Sequence, residues 1–433
     1  MSQRRQLECV LWLVSINLSA ISTGCSSHFP NPSVVQPSLP APVQPTNSNA
    51  YIGTQNPGYW SLTLDDSQNV FSYRPITYAP TPNPAVQGSF QNIDGILNFG
   101  QVKGSSTGMA VEAPSRVAVM RPGDNTTAPV SSVVQSGCFA ITGIIRFTFT
   151  TVPAAQQSPG AQTTYIAYGT IAVGTSADGK SWQFGGLSEY QLTEIPGGTV
   201  AGTPASPAIP DPLSFTGTCA STNGQAVITT TNPAYAVSPT YRFNSAGYFI
   251  RDTSPSTAPP QDGSYASWIG VAMPASPLSA SDIASGNYRG FVYEPNTPST
   301  NVVTQPIALT ATLGVGGSLS GGIYPNDTLT SAVSAQYTIA LGNQDGTLNG
   351  VFPTATLTMP DPNFICALVA QSTSGTVKSG FDVNGNPICT TGGVAVVGKP
   401  EDKYVLYFTA LDGTAGTSLE PNAYTLQMYL YQQ

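Results

Sequence analysis

The chain has 433 residues, only 8% of them charged, and its 22 acidic against 14 basic side chains give a net charge of −8. The five lysines (Lys103, Lys180, Lys378, Lys399, Lys403) and the arginines beyond residue 5 are scattered, so no basic patch exists to neutralise phosphates and nucleic acid is not an expected partner. With 40% hydrophobic residues in ordered runs the chain is a folded one, and its polar surface must come from Ser, Thr, Asn, Gln and Gly, as is common in exported β-rich envelope proteins.

At the N-terminus, Arg4 and Arg5 precede a mostly apolar run from Val10 to Ser22. That run is shorter than the ~20 residues a spanning helix needs. Its basic head and small terminal residues mark a secretory signal over residues 1–24; the alternative is a buried N-terminal helix or strand. The stretch "STGCSS", residues 22–27, resembles the lipobox of bacterial lipoproteins, in which small residues precede a cysteine that becomes the lipid-modified mature N-terminus. Thr23 and Gly24 match that pattern; Ser22 stands where the family usually has an aliphatic residue, and Glu8 is unusual so near the apolar run. The resemblance covers residues 1–27 and implies cleavage before Cys25, diacylglycerol on Cys25 and a membrane partner through that lipid. Ser26 implies outer-membrane sorting in a cell that has an outer membrane. The residues around Arg4 and Arg5 match twin-arginine export poorly.

Residues 25–57 follow as a tether. Pro30, Pro32, Pro37, Pro40, Pro42, Pro45 and Pro57 recur through a stretch without Lys, Arg, Asp or Glu. Proline fixes φ and removes an amide donor, so such a segment favours extended polyproline II and acts as a semi-rigid spacer.

Beyond the tether the apolar residues repeat every second position. In "IIRFTFTTV", Ile145, Phe147 and Phe149 face one way and Arg146, Thr148 and Thr150 the other; in "TLQMYLY", Leu426, Met428 and Leu430 alternate with Gln427 and Tyr429. This alternation predicts half-buried antiparallel strands. "KYVLYFTAL", 403–411, is apolar on both faces and predicts a central strand. "NIDGILNF" (92–99), "TSADGKSWQF" (175–184) and "TYRFNSAGYFIRD" (240–252) predict hairpins, because Asx-Gly and related pairs accept the positive φ of tight turns. "SASDIASG" predicts one short helical turn. The expected fold is therefore all-β, with two antiparallel barrel- or sandwich-like domains. Proline-rich breaks lie at 195–212, 253–262 and 295–306. Taking 195–212 as a loop inside a domain gives a first domain over 58–254 and a second over 255–433. No clear internal repeat is visible.

The six cysteines are Cys9, Cys25, Cys138, Cys219, Cys366 and Cys389. Signal cleavage removes the first and lipidation consumes the second, leaving an even number for an oxidising compartment. Four cysteines allow three pairings; nearest-neighbour pairing gives 138–219 and 366–389. The second pair must then lie in loops or strand ends, because positions two strand spacings apart, roughly 9–10 Å, exceed disulfide reach.

The chemistry is mostly defined by exclusion. His28 is the one histidine and lies in the tether, so the folded part has none for Ser-His-Asp or Cys-His catalysis, or for histidine-bound zinc or iron. "GGVAVVGKP" supplies Gly393, Gly398 and Lys399 in P-loop spacing, but Pro400 replaces the Ser or Thr that would hold magnesium, so a strand ending in a turn is expected. "FDVNGNPIC" sets Asp382, Asn384 and Asn386 at calcium-loop spacing. Pro387 and Gly393 occupy the positions where an EF-hand needs Gly and Glu, so a hairpin turn is expected. Asp65, Asp66, Glu189 and Glu194 are the carboxylates weighed for hydrolysis by an acid pair. Within each pair the two would face opposite ways on a regular strand, and solvated surface carboxylates are expected. Trp60, Trp182, Trp268 and the many tyrosines suit either strand packing or stacking on sugars.

The expectation is thus an envelope lipoprotein with a structural, adhesive or ligand-binding role. No catalytic residue, metal or cofactor is assigned. The rivals are a carbohydrate- or peptide-binding module using exposed Tyr and Trp, a carboxylate-dependent hydrolase, and a membrane-spanning β-barrel ending in "YTLQMYLYQQ". The short, polar, proline-interrupted strands argue against the last.

Overall fold

The structure, a computed structural model, describes residues 49–54, 59–76, 85–101, 107–113, 117–121, 130–134, 136–152, 166–192, 203–204, 215–222, 225–230, 240–252, 267–294, 303–311, 317–324, 329, 337–360, 377–412 and 424–433. The expected signal, the expected lipidation site Cys25 and most of the expected tether lie outside them. The tether expected to run to residue 57 meets a strand before its end, because Asn49–Thr54 pairs with strands on both sides.

The described strands are antiparallel and form three sheets in chain order. The first sheet comprises β1 (Asn49–Thr54), β2 (Tyr59–Asp65), β3 (Val70–Ile76), β4 (Val86–Ser89), β5 (Gln91–Ile93), β6 (Ile96–Gln101), β7 (Thr107–Ala113), β8 (Val117–Arg121) and β9 (Val130–Val134). The second comprises β10 (Ile144–Val152), β11 (Ile166–Thr175), β12 (Ser181–Leu192), β13 (Thr203–Pro204), β14 (Phe215–Thr222), β15 (Gln225–Thr230), β16 (Thr240–Phe243), β17 (Tyr248–Asp252) and β18 (Ser267–Ala272). After the helical turn α1 (Ala280–Ile283), the third comprises β19 (Asn287–Glu294), β20 (Val303–Ala311), β21 (Ser318–Ile323), β22 (Tyr337–Ala340), β23 (Val351–Pro360), β24 (Val377–Phe381), β25 (Pro387–Gly398), β26 (Val405–Asp412) and β27 (Tyr424–Gln432).

The second and third sheets each close into an eight-stranded antiparallel barrel, called here barrel one and barrel two. Each is an up-and-down meander whose first and last strands pair, β10 with β18 and β19 with β27. The small strands β13 and β24 lie outside the rings. The first sheet follows the same plan, with β1 pairing β9. There β4 and β5 are consecutive pieces of chain joined at Phe90, so β3 and β6 are linked by chain continuity and not by a ladder. A meander plan recurring three times is a repeat that the amino-acid sequence does not display.

Alternation explains the filling. Each strand sends every second side chain inward, and β-branched and aromatic residues suit that pleated surface. Phe147, Phe149, Trp182, Phe184, Phe243 and Trp268 fill barrel one. Ile307, Leu319, Ile339, Leu406, Met428 and Leu430 fill barrel two. Tyr51, Leu62, Phe71 and Phe99 fill the first sheet's own concave side. Burying each such side chain contributes on the order of 1.5–3 kcal/mol.

A fourth cluster joins the three sheets. Met109 and Val111 of the first sheet meet Ile250 and Val271 of barrel one and Val396, Tyr407, Tyr429 and Tyr431 of barrel two. The half-buried strand expected at "TLQMYLY" is therefore buried on both faces: Leu426, Met428 and Leu430 point into the barrel, while Gln427, Tyr429 and Tyr431 are covered by neighbouring sheets. β26 is the central strand expected, between β25 and β27.

The domain limits differ from those drawn at 58–254 and 255–433. β18, at Ser267–Ala272, pairs with both β10 and β17 and completes barrel one, so its last strand lies beyond residue 254. In chain order each proline-rich stretch comes between strands of one barrel and not between the two barrels: 195–212 between β12 and β14, 253–262 between β17 and β18, and 295–306 mostly between β19 and β20. The junction between the barrels is 273–286, which includes the expected helical turn, with Ser279 accepting the Asp282 amide as its N-cap.

Candidate functional site

Asp65 and Asp66, weighed as an acid pair, are expected as solvated surface carboxylates; Asp66 meets that expectation and Asp65 departs from it. Asp65 is buried and its Oδ1 accepts from the Ser67 amide (3.0 Å), the Ser67 hydroxyl (2.5 Å) and the Gln68 amide (3.2 Å). It ties the turn between β2 and β3, while Asp66 is exposed. Glu189 lies on β12, opposite Gly169. Glu194 is outside the described residues.

The stretch with P-loop spacing is strand β25 ending in a 3-10 turn at Pro400–Asp402, and Lys399 Nζ lies 5.1 Å from the centre of the Tyr404 ring. The calcium-like stretch is the turn between β24 and β25. Asp382 Oδ1 accepts the amides of Asn384 (2.9 Å) and Asn386 (2.7 Å), and Oδ2 accepts the Asn386 side-chain amide (2.9 Å). Those bonds, Asn386 first, hold the Asp382 carboxyl below the usual aspartate value. Among the described residues no three His, Cys, Asp or Glu side chains gather as a metal site.

Trp182 and Trp268 are fully buried in barrel one, and Trp60 is half-buried beside Tyr73. They do not form an exposed stacking row. Cys138 and Cys219 form a disulfide with Cα atoms 6.1 Å apart. Cys389 on β25 is also disulfide-bonded. Its expected partner, Cys366, lies outside the described residues.

The sequence offered no sign of one polar cluster. Asp94, at the tip of the β5–β6 hairpin with φ 52°, reaches across to barrel two. Its Oδ1 accepts from Arg289 Nη2 at 2.7 Å, its Oδ2 from the Tyr324 hydroxyl at 2.5 Å, and its backbone carbonyl from Arg289 Nε at 2.7 Å. Burial raises the Asp94 pKa, but the bonds from Arg289 and Tyr324 and the guanidinium charge outweigh it and leave it lowered. Burial, followed by the Asp94 carboxylate, pushes the Tyr324 phenol up to about 12. "NIDGILNF" announced the turn but not what the turn would touch. The cluster fastens the first sheet to barrel two.

What remains is surface. Among the described residues the large apolar side chains standing in solvent are Ile144 (63% exposed), Phe381 (66%) and Val383 (100%). Phe381 and Val383 flank Asp382 at the tip of the β24–β25 hairpin, outside the ring of barrel two. The Asp382 bonds fix that tip, so two apolar groups are presented on a set backbone.

No family model matches the chain, and no curated protein matches it. Among solved structures, the beta chain of DNA polymerase III from Streptococcus pneumoniae TIGR4 aligns at 9% identity over 79% of this chain and 90% of that one, with a TM-score of 0.12. A score that low shows no common fold.

Proposed function

We propose that the chain is an exported, lipid-anchored envelope protein that acts without catalysis, as a structural, adhesive or ligand-binding scaffold. The observation that carries this is the use already made of its interior and its acids. Both barrels are filled by their own side chains, and Asp65, Asp94 and Asp382 are engaged in bonds that fix turns or join sheets. That leaves the outer surface for recognition, with the fixed Phe381–Val383 tip as an apolar projection among the described residues. A membrane-spanning barrel is disfavoured, because the apolar outward positions of β18 and β25–β27, where such a barrel carries its lipid-facing band, are covered by protein. The lipobox-like "STGC" and the proline-rich tether support the anchor.

Non-reducing mass mapping of the mature protein, taken from membranes, tests the reading. The expected result is an N-terminus at Cys25 carrying acyl chains. An N-terminus elsewhere with Cys25 unmodified removes the anchor and with it the envelope assignment.

A further inference from the structure

Both closed barrels are stoppered at one end by the chain that leads into their first strand. In barrel one the stopper is 138–143: Ile141 is buried with the barrel interior, Phe139 meets Trp182 edge-on at 5.5 Å, and the Ile141 amide donates to Thr175 Oγ1 at 2.6 Å. In barrel two it is 278–286: Ile283 joins the interior and its carbonyl accepts from the Tyr288 hydroxyl at 2.6 Å. The stopper of barrel two contains no cysteine, whereas that of barrel one is tied to the wall strand β14 by Cys138–Cys219.

We propose that this disulfide is a reducible latch on the stopper, and that its reduction frees 138–143 while barrel one stays closed. The ring of barrel one is completed by the β10–β18 and β11–β12 ladders, neither of which involves Cys138. Barrel two builds the same ring and keeps its stopper with a helical turn and packing. Access favours attack at one end of the bond: Cys138 is half-buried between exposed Gly137 and Ala140 nearby, while Cys219 is buried. A dithiol reductant completes the step. Its thiolate attacks Cys138 Sγ, the S–S bond breaks, and Cys219 leaves as a thiolate that takes up a proton. The reductant's second thiolate then displaces Cys138, which is protonated in turn. Two electrons and two protons enter the protein, and the reductant becomes a disulfide. Freed of Phe139 and Ile141, the barrel end presents Trp182 and its aromatic neighbours to an apolar ligand.

The test is amide hydrogen exchange on the full chain, oxidised and in dithiothreitol, with an anilinonaphthalene dye as apolar probe. The Cys138→Ala/Cys219→Ala variant accompanies it, because dithiothreitol also meets the Cys389 disulfide. Exchange over 136–143 should rise at least about tenfold. Dye binding should rise, β10, β11, β17 and β18 should keep their protection, and reoxidation of the wild type should restore the first state. Unchanged exchange over 136–143 overturns the proposal. So does loss of protection in the ring strands, or a double variant that fails to fold, since either makes the bond a support of the barrel itself.

Discussion

Barrel one is packed with rings where barrel two is packed mainly with aliphatic chains. In barrel one Phe149 lies flat on Trp268, ring centres 3.9 Å apart, and the Arg251 guanidinium lies 3.9 Å from the Trp268 ring centre. Phe147 meets Phe249 edge-on at 5.5 Å. Barrel two reaches the same closed ring with Ile, Leu, Val and Met at most inward positions. Rings are wide and rigid, so they fill a barrel in few pieces but need gaps opposite them. Branched chains fill it in many pieces and let the backbones approach. Two sets of side chains thus satisfy one topology, which is the tolerance expected when volume and alternation are kept.

The closing seams make the difference measurable. Each seam contains a glycine: Gly270 of β18 opposite Phe149, and Gly290 of β19 opposite Leu430. A Cβ on Gly290 would lie 1.7 Å from the Tyr429 carbonyl oxygen, a backbone atom held by the ladder. A Cβ on Gly270 would lie 2.0 Å from Cε1 of Phe249, a side chain. Gly290→Ala should therefore cost the most, about 4 kcal/mol or more, by prising β19 from β27. Gly270→Ala should cost about 1–3 kcal/mol, as overpacking that a ring can partly relieve. Denaturant melts of both variants check the order. Equal losses would mean that the ring-filled core is as unyielding as backbone.

The stoppers give a second, smaller contrast. Gly179 (φ +67°) lies in the turn between β11 and β12, and Gly317 (φ +70°) immediately precedes β21. A Cβ there would lie 2.5 Å from the Phe139 carbonyl carbon in barrel one and 2.4 Å from that of Ala280 in barrel two. Each alanine costs roughly 1–2 kcal/mol for its left-handed backbone and pushes against the stopper. Only the first stopper is tied covalently. Gly317→Ala should thus raise amide exchange over 278–286, whereas Gly179→Ala should leave 138–143 protected until the disulfide is reduced. Equal release in oxidised protein would show that the disulfide does not hold the stopper.

The strands were legible because inward and outward positions alternate in single stretches such as Phe147–Thr148–Phe149, and the hairpins because turn chemistry is local. The barrel limits were not. Proline and glycine recur between paired strands as strongly as they mark linkers, so 253–262 read as a boundary although β17 and β18 on either side of it are paired. The threefold plan was hidden because a meander constrains which positions are apolar, not which apolar residue occupies them. The Asp94 cluster escaped notice because Asp94 and Arg289 are 195 positions apart. Nothing local links a turn aspartate to an arginine on a distant strand.

That cluster supplies the smallest effect, and it separates barrel two from barrel one, since Asp94 reaches Arg289 and Tyr324, both in barrel two. The folded Asp94 pKa lies below its ordinary value of 3.8, so the carboxylate favours the docked state above that value and loses its contribution as pH falls below it. The Asp94 side chain is 54% exposed, so solvent screens the pair and its contribution stays within about 1 kcal/mol. Asp94→Asn is the informative change, because asparagine also accepts a positive φ and still offers an oxygen to Arg289 while removing the charge. The acid limb of the unfolding profile should flatten slightly below pH 3.8. The Tyr324 phenol should fall from about 12 towards its ordinary value of 10, but not reach it, because burial is the larger cause of its rise. Ultraviolet titration of both proteins, each against its own Tyr324→Phe variant, isolates this phenol among the 20 tyrosines. An unchanged Tyr324 titration would mean that the Asp94 carboxylate does not sit against its hydroxyl, and that the first sheet is held to barrel two by apolar packing without this polar pin.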